Sequence, residues 1–120
     1  MVACGFPKTA RLLHSAEFAA VKQGGRNFAE GPLAASFLAR EVASRAGGAR
    51  VGLAVSSKVG GAVVRNRVKR RLREAVRLEL AQLPAVDLVL VARASSPKAS
   101  VADFRSWLRK AAARIRKGTG

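Results

Sequence analysis

Residues 50–92 read RVGLAVSSKVGGAVVRNRVKRRLREAVRLELAQLPAVDLVLVA, and the apolar period changes twice along them. Val51, Leu53 and Val55 alternate with Gly52, Ala54 and Ser56, the two-residue period of a strand buried on one face. Gly60 and Gly61 interrupt that alternation. From Ala62 to Leu80, Val64, Val68, Leu72, Ala75 and Val76 fall on one side of a helix at roughly 100° per residue. Pro84 stops any continuation, because it lacks an N–H and its ring clashes with the preceding turn. Ala85 to Ala92 contains Leu88-Val89-Leu90-Val91, the continuous apolar run of an inner strand covered on both faces. A strand, a helix and a second strand in this order predict two parallel strands joined by a crossover.

Outward from this unit the signals are shorter. Ser15 is a candidate N-cap for a helix of about two turns carrying Phe18 and Val21 and ended by Gly24 and Gly25. Asn27 to Glu30 is a short strand, Gly31-Pro32 a turn, Leu33 to Arg40 a second strand, and Ser44 to Gly48 another turn. Ser95-Ser96-Pro97 turns the chain again. Ser100 with Asp103 resembles a capping box, and Phe104, Trp107, Leu108, Ala111 and Ile115 form the apolar stripe of a last helix. The expected fold is α+β, a two-layer sandwich of order α-β-β-β-α-β-α on a mixed sheet. One domain over 1–120 suits the length, with residues 1–10 loose.

Charge narrows the function. The 120 residues hold 23 Lys plus Arg against 7 Asp plus Glu, a formal charge of +16. A lone Cys4 and a lone His14 leave no internal disulfide, no Cys-rich zinc site and no paired-histidine metal site. No apolar stretch approaches the ~18 residues of a membrane span, and residues 1–8 do not have the pattern of a secretory signal. The expectation is a cytoplasmic protein that binds a polyanion, with no membrane or protein partner evident.

The densest charge lies on the central helix. Between Arg65 and Arg77 seven basic side chains face one acid, Glu74. Arg65, Lys69, Arg73 and Arg77 form an i, i+4 row about 18 Å long, flanked by Asn66 and Arg70. Like charges at that spacing cost a few tenths of a kcal/mol per pair. A solvated helix face ordinarily mixes Lys with Glu; this one does not, which favours a bound polyanion. Asn66 suits a phosphate, a sugar hydroxyl or a base edge, and equally a surface amide. Gly60-Gly61 either brings N–H groups close to a phosphate or is a plain turn, since no Walker sequence follows. Trp107 and Phe104 lie on an apolar stripe and read as core; Phe18 and Phe37 fit core or base stacking. The acids at 17, 30, 41, 74, 79, 87 and 103 form no paired cluster, so no catalytic residue is expected in the protein itself.

The run from Arg50 to Glu74 resembles the signature of the bacterial ribonuclease P protein subunit, R-V-G-L-S-V-S-K-K-x-G-N-A-V-x-R-N-R-x-K-R-x-x-R-E. Arg11-Leu12, Glu17-Phe18 and the strand from Asp87 to Arg93 agree with its flanks. The resemblance implies an endoribonuclease in which an RNA subunit performs Mg²⁺-dependent hydrolysis, removing the 5′ leader of precursor tRNA. The protein would bind that RNA and the single-stranded leader and carry no metal site. It further implies RNA-facing Arg65, Asn66, Arg67, Lys69, Arg70 and Arg73, with Lys58 near the helix start; Arg77 joins them through the row above. It places Phe18 in the leader cleft, with Lys22 and Ser36 at positions frequently aromatic in the family. Ser57 and Gly61 depart from the usual basic residue and Asn, and together these departures suggest that charge holds the leader more than stacking. The family's β-α-β crossover is left-handed, against the general rule.

Overall fold

The computed structural model describes residues 19, 21, 23–39 and 49–119. Ala19, Val21, Gln23 and Gly24, the described part of the first expected helix, are helical. Four strands follow the expected order: β1 (Arg26–Glu30), β2 (Leu33–Ala39), β3 (Arg50–Ala54) and β4 (Val86–Ala92). The crossover helix α1 spans Ala62–Glu79 and ends in a 3-10 turn at Leu80–Gln82, and helix α2 spans Val101–Thr119. The sheet order is β1-β2-β4-β3. β1 and β2 form an antiparallel hairpin, β2 pairs antiparallel with β4, and β3 runs parallel to β4. This is the mixed four-stranded α+β sheet that the pattern predicts.

Local chemistry sets the boundaries. Glu30 pairs with Leu33, so only Gly31 and Pro32 turn the hairpin. Gly31 supplies the positive φ of 57° that such a tight connection needs, and Pro32 fixes the next φ near −65°. The box at the start of α2 is reciprocal: Asp103 N–H donates to Ser100 Oγ at 3.1 Å, and Ser100 N–H to Asp103 Oδ2 at 2.9 Å. The backbone and hydroxyl bonds from Ser100 hold the Asp103 carboxyl below its ordinary range. The first helix segment closes as Gly25 N–H donates to Val21 O at 2.9 Å, and a side chain on Gly25 would collide with the Phe37 carbonyl. The strand expected at 51–56 starts and stops earlier, at Arg50 and Ala54, because pairing with β4 ends there.

The main core lies between the sheet and the two helices. Val68, Leu72, Ala75 and Val76 of α1 and Phe104, Leu108 and Ile115 of α2 bury against Leu33, Phe37, Val51, Leu88 and Leu90. Val64, expected on the buried side, is only partly covered. The opposite face of β4 is covered as well: Val21 and Val89 form a second buried cluster, with Leu38 and Val91 against it.

Candidate nucleic-acid interface

The apolar stripe of α1 faces inward, so its remaining arc meets solvent. Asn66, Arg67, Arg70 and Arg73 are exposed; Arg65 and Lys69 are half-buried beside them. Lys58 is exposed in the turn ahead of the helix. Among the described residues no carboxylate lies within ion-pair distance of Arg65, Arg67, Lys69, Arg70 or Arg73. Their mutual repulsion is therefore left for a ligand to relieve. Gly61 caps the helix with no side-chain bond, so the first turn presents bare N–H groups alongside these cations.

Two arginines of the same helix are committed within the protein. Arg77 grips Glu74 with Nε at 2.7 Å and Nη2 at 2.6 Å, and this bond is the main reason the Glu74 carboxyl sits below its usual range. Arg71 turns toward the chain before α2, where its Nη1 donates to Pro97 O and Ala99 O, each at 3.1 Å. Both acceptors are neutral carbonyls, so Arg71 keeps its full charge. It lines a shallow recess with Arg67, Arg70 and Val101.

The second sheet face mixes small side chains with aliphatic ones. The registers put Asn27 and Ala29 of β1, Ala34, Ser36 and Leu38 of β2, Val89 and Val91 of β4, and Gly52 and Ala54 of β3 on that side. Ser36 is 7% exposed and bonds through its hydroxyl to Asn27 Oδ1. Arg50 clasps Asp87 across the same face, Nε to Oδ1 at 2.9 Å and Nη2 to Oδ2 at 2.8 Å. Phe18 and Lys22, expected beside Ser36, lie outside the described residues, as do Cys4, His14 and Ser15.

The described aromatic rings gather on the helix side instead. Phe28 stacks on Trp107 with centroids 5.7 Å apart and planes at 14°, and meets Phe37 edge-on at 6.2 Å. Trp107 Nε1 donates to Glu30 O at 2.7 Å, and the Arg114 guanidinium lies 4.5 Å above the Phe28 ring. Phe37 and Phe104 are buried, so all four of these rings serve packing.

A model of the Ribonuclease P family matches residues 6–116. The chain belongs to the ribonuclease P protein family. It is 44% identical over 110 residues to the ribonuclease P protein component of Gluconacetobacter diazotrophicus, covering 87% of this chain and 92% of that one. The corresponding protein of Clostridioides difficile is 37% identical over 101 residues, 82% of this chain and 85% of its own. In fold, the chain is similar to the RNase P protein of Staphylococcus aureus, with a TM-score of 0.73 at 23% identity over 90% of this chain and 95% of that one. It is also similar to the RNase P protein of Thermotoga maritima solved with 1-(4-fluorophenyl)-2-thiourea, with a TM-score of 0.72 at 22% identity over 85% and 96%.

One part of the chain escaped sequence reasoning. Glu79, the last residue of α1, is 1% exposed at its side chain and accepts from Arg105 Nε at 2.7 Å and Arg109 Nε at 3.1 Å. Burial alone would raise its carboxyl, but the Arg105 and Arg109 bonds more than reverse this and leave it below the usual range. The available signal was charge spacing: Arg105, Arg109 and Arg116 share one edge of α2, beside the stripe that fixed its apolar side.

Proposed function

We propose that this chain is the RNA-binding, non-catalytic protein subunit of ribonuclease P, an endoribonuclease that removes the 5′ leader of precursor tRNA. The observation that carries the reading is the unmixed basic arc of α1, turned outward in a member of this family. In this reading Arg65, Asn66, Arg67, Lys69, Arg70 and Arg73, with Lys58 at the near end, meet the phosphates of the RNA subunit, while Arg77, expected in the same row, is held by Glu74. Guanidinium forks suit that task, because two N–H groups match two phosphate oxygens. The second sheet face, with Ser36, takes the single-stranded leader, and Phe18 and Lys22 share that role by the family resemblance. Ala29, Ala34 and Ala54 on this face leave room for a backbone to approach, and the described rings lie on the other side.

The Mg²⁺ that drives hydrolysis belongs to the RNA subunit. Four of the five described carboxylates are engaged within the fold, Glu74, Glu79 and Asp87 by arginines and Asp103 by Ser100, and the fifth, Glu30, is exposed on β1. Among the described residues no three His, Cys, Asp or Glu side chains converge. No described helix is long and apolar enough to cross a membrane, and the reading places the protein in the cytoplasm with its RNA.

The deciding experiment measures precursor-tRNA cleavage by the chain alone, by a bacterial ribonuclease P RNA alone, and by both. The proposal expects no cleavage by the chain, slow cleavage by the RNA, and a gain with both that grows with leader length. Cleavage by the chain alone would identify a protein-only nuclease. RNA binding without any gain would identify a structural RNA-binding protein.

A further inference from the structure

We propose that the RNA surface of this chain is a groove between α1 and α2, in which Arg105 and Arg109 of α2 form a preset phosphate-binding pair. The proposal rests on the reading of α1 as an RNA contact and adds an element to it.

Placement comes first. Arg71 bonds to the carbonyls of Pro97 and Ala99, Glu79 to Arg105 and Arg109, and the Gln82 carbonyl to Arg116. Increasing numbers on α1 meet increasing numbers on α2, so the helices lie side by side and run parallel. The recess lined by Arg67, Arg70, Arg71 and Val101 is where the basic arc of α1 touches the start of α2. Arg105 and Arg109 stand one and two turns beyond Val101 on the same edge, about 12 Å along the helix. Arg105 and Arg109 thus extend the cationic edge past Val101 and along α2.

Donor accounting comes next. Arg105 gives Glu79 only its Nε, and Arg109 gives its Nε and, at 3.2 Å, its Nη2. Both Nη atoms of Arg105 and the Nη1 of Arg109 have no acceptor among the described residues. The side chains are 35% and 56% exposed, so those donors reach solvent. Two guanidiniums against one carboxylate leave a net positive charge, and Arg67, Arg70 and Arg71 add to it.

Glu79 explains why this pair is suited to binding. Immobilising a long side chain on association costs conformational entropy, and here the buried carboxylate has already fixed both arginines on folding. An acidic carboxylate buried only to cancel one arginine would need no second. The partner that fits outward guanidiniums on both helices is a phosphate backbone.

The test uses the full chain and a bacterial ribonuclease P RNA, with affinity measured as a function of salt. Arg105→Gln and Arg109→Gln are each expected to reduce the steepness of log K against log salt by about 0.7–0.9, and the double variant by about twice that. Lys110→Gln removes the same charge from the other edge of α2, where it lines a recess with Glu30 and Trp107, and is expected to leave the slope unchanged. Melting temperature is recorded for each, since lost bonds to Glu79 lower stability without altering a salt slope measured well below the transition. A double variant with an unchanged slope overturns the proposal, as does a Lys110→Gln effect equal to that of Arg109→Gln. Arg70→Gln on α1 separates the two readings: if it flattens the slope and the α2 variants do not, only the groove fails. If none of the variants flattens the slope, α1 is not the RNA contact either.

Discussion

Leu72 and Arg73 are neighbours in the chain with opposite fates. Leu72 is 0% exposed between the sheet and α2, whereas Arg73 projects into solvent with no carboxylate partner among the described residues. Leu72→Ala should cost about 2–5 kcal/mol, through lost burial and the cavity left behind. Arg73→Ala should cost under about 0.5 kcal/mol in stability yet weaken RNA binding. Thermal unfolding and RNA titration on the same two variants check this, and equal losses of stability would contradict the orientation of α1. Trp107 offers a second residue-level check, being the only tryptophan in the chain. Because it is 8% exposed and stacked on Phe28, its fluorescence should report unfolding but stay unchanged when a leader-bearing substrate binds. Quenching by the leader alone would put a base against this ring and return stacking to the helix side of the sheet.

At the scale of elements, α1, β3 and β4 were legible because each has a strong period and clear terminators: alternation through Val51, Leu53 and Val55, helical spacing from Ala62 to Leu80, and an unbroken apolar run from Leu88 to Val91. The basic arc was legible for the same reason, since fixing Val68 and Leu72 inward fixes Arg67, Arg70 and Arg73 outward. Arg71 and Glu79 were not. Both sit near the border of the apolar stripe, and their partners lie 26 to 30 residues further along. Only the packing of α2 on α1 decides whether such a residue meets water or another chain segment. That packing gives a pH dependence. The Glu79 carboxyl is lowered in the folded state, so its contribution is present above the ordinary glutamate range and lost as pH falls through the folded value. Denaturant midpoints should therefore drop on acidification below that range, and Glu79→Gln should flatten the drop. At neutral pH the same variant should cost about 3 kcal/mol, the low end for breaking a buried ion pair, because Arg105 and Arg109 are partly exposed. An acid profile identical in wild type and Glu79→Gln would mean that Glu74 or Asp103, also lowered, sets it.

For the whole molecule, one property links stability to binding: a charge of +16 on 120 residues. Self-repulsion of this size destabilises the compact state and is screened within about 10 Å at moderate salt. Among the described residues the ion pairs that oppose it are few: Glu74, Glu79 and Asp87 engage four arginines, Arg77, Arg105, Arg109 and Arg50. Glu79 is moreover buried, where salt screens it less. Added salt should thus raise the melting temperature of the free protein, because it weakens the many repulsions more than the few attractions. The same salt should lower affinity for RNA, with log K falling at roughly −0.7 to −0.9 per phosphate neutralised. The opposite signs distinguish this arrangement from a domain held together by surface ion pairs, which salt would destabilise while it also weakened binding. Melting curves and RNA titrations over one shared salt series make the comparison. A melting temperature that falls with salt would assign the surface charges to cohesion within the fold. A rising one, beside falling affinity, means that the arginines are arranged for a partner, and that RNA binding stabilises the fold by relieving the repulsion it carries alone.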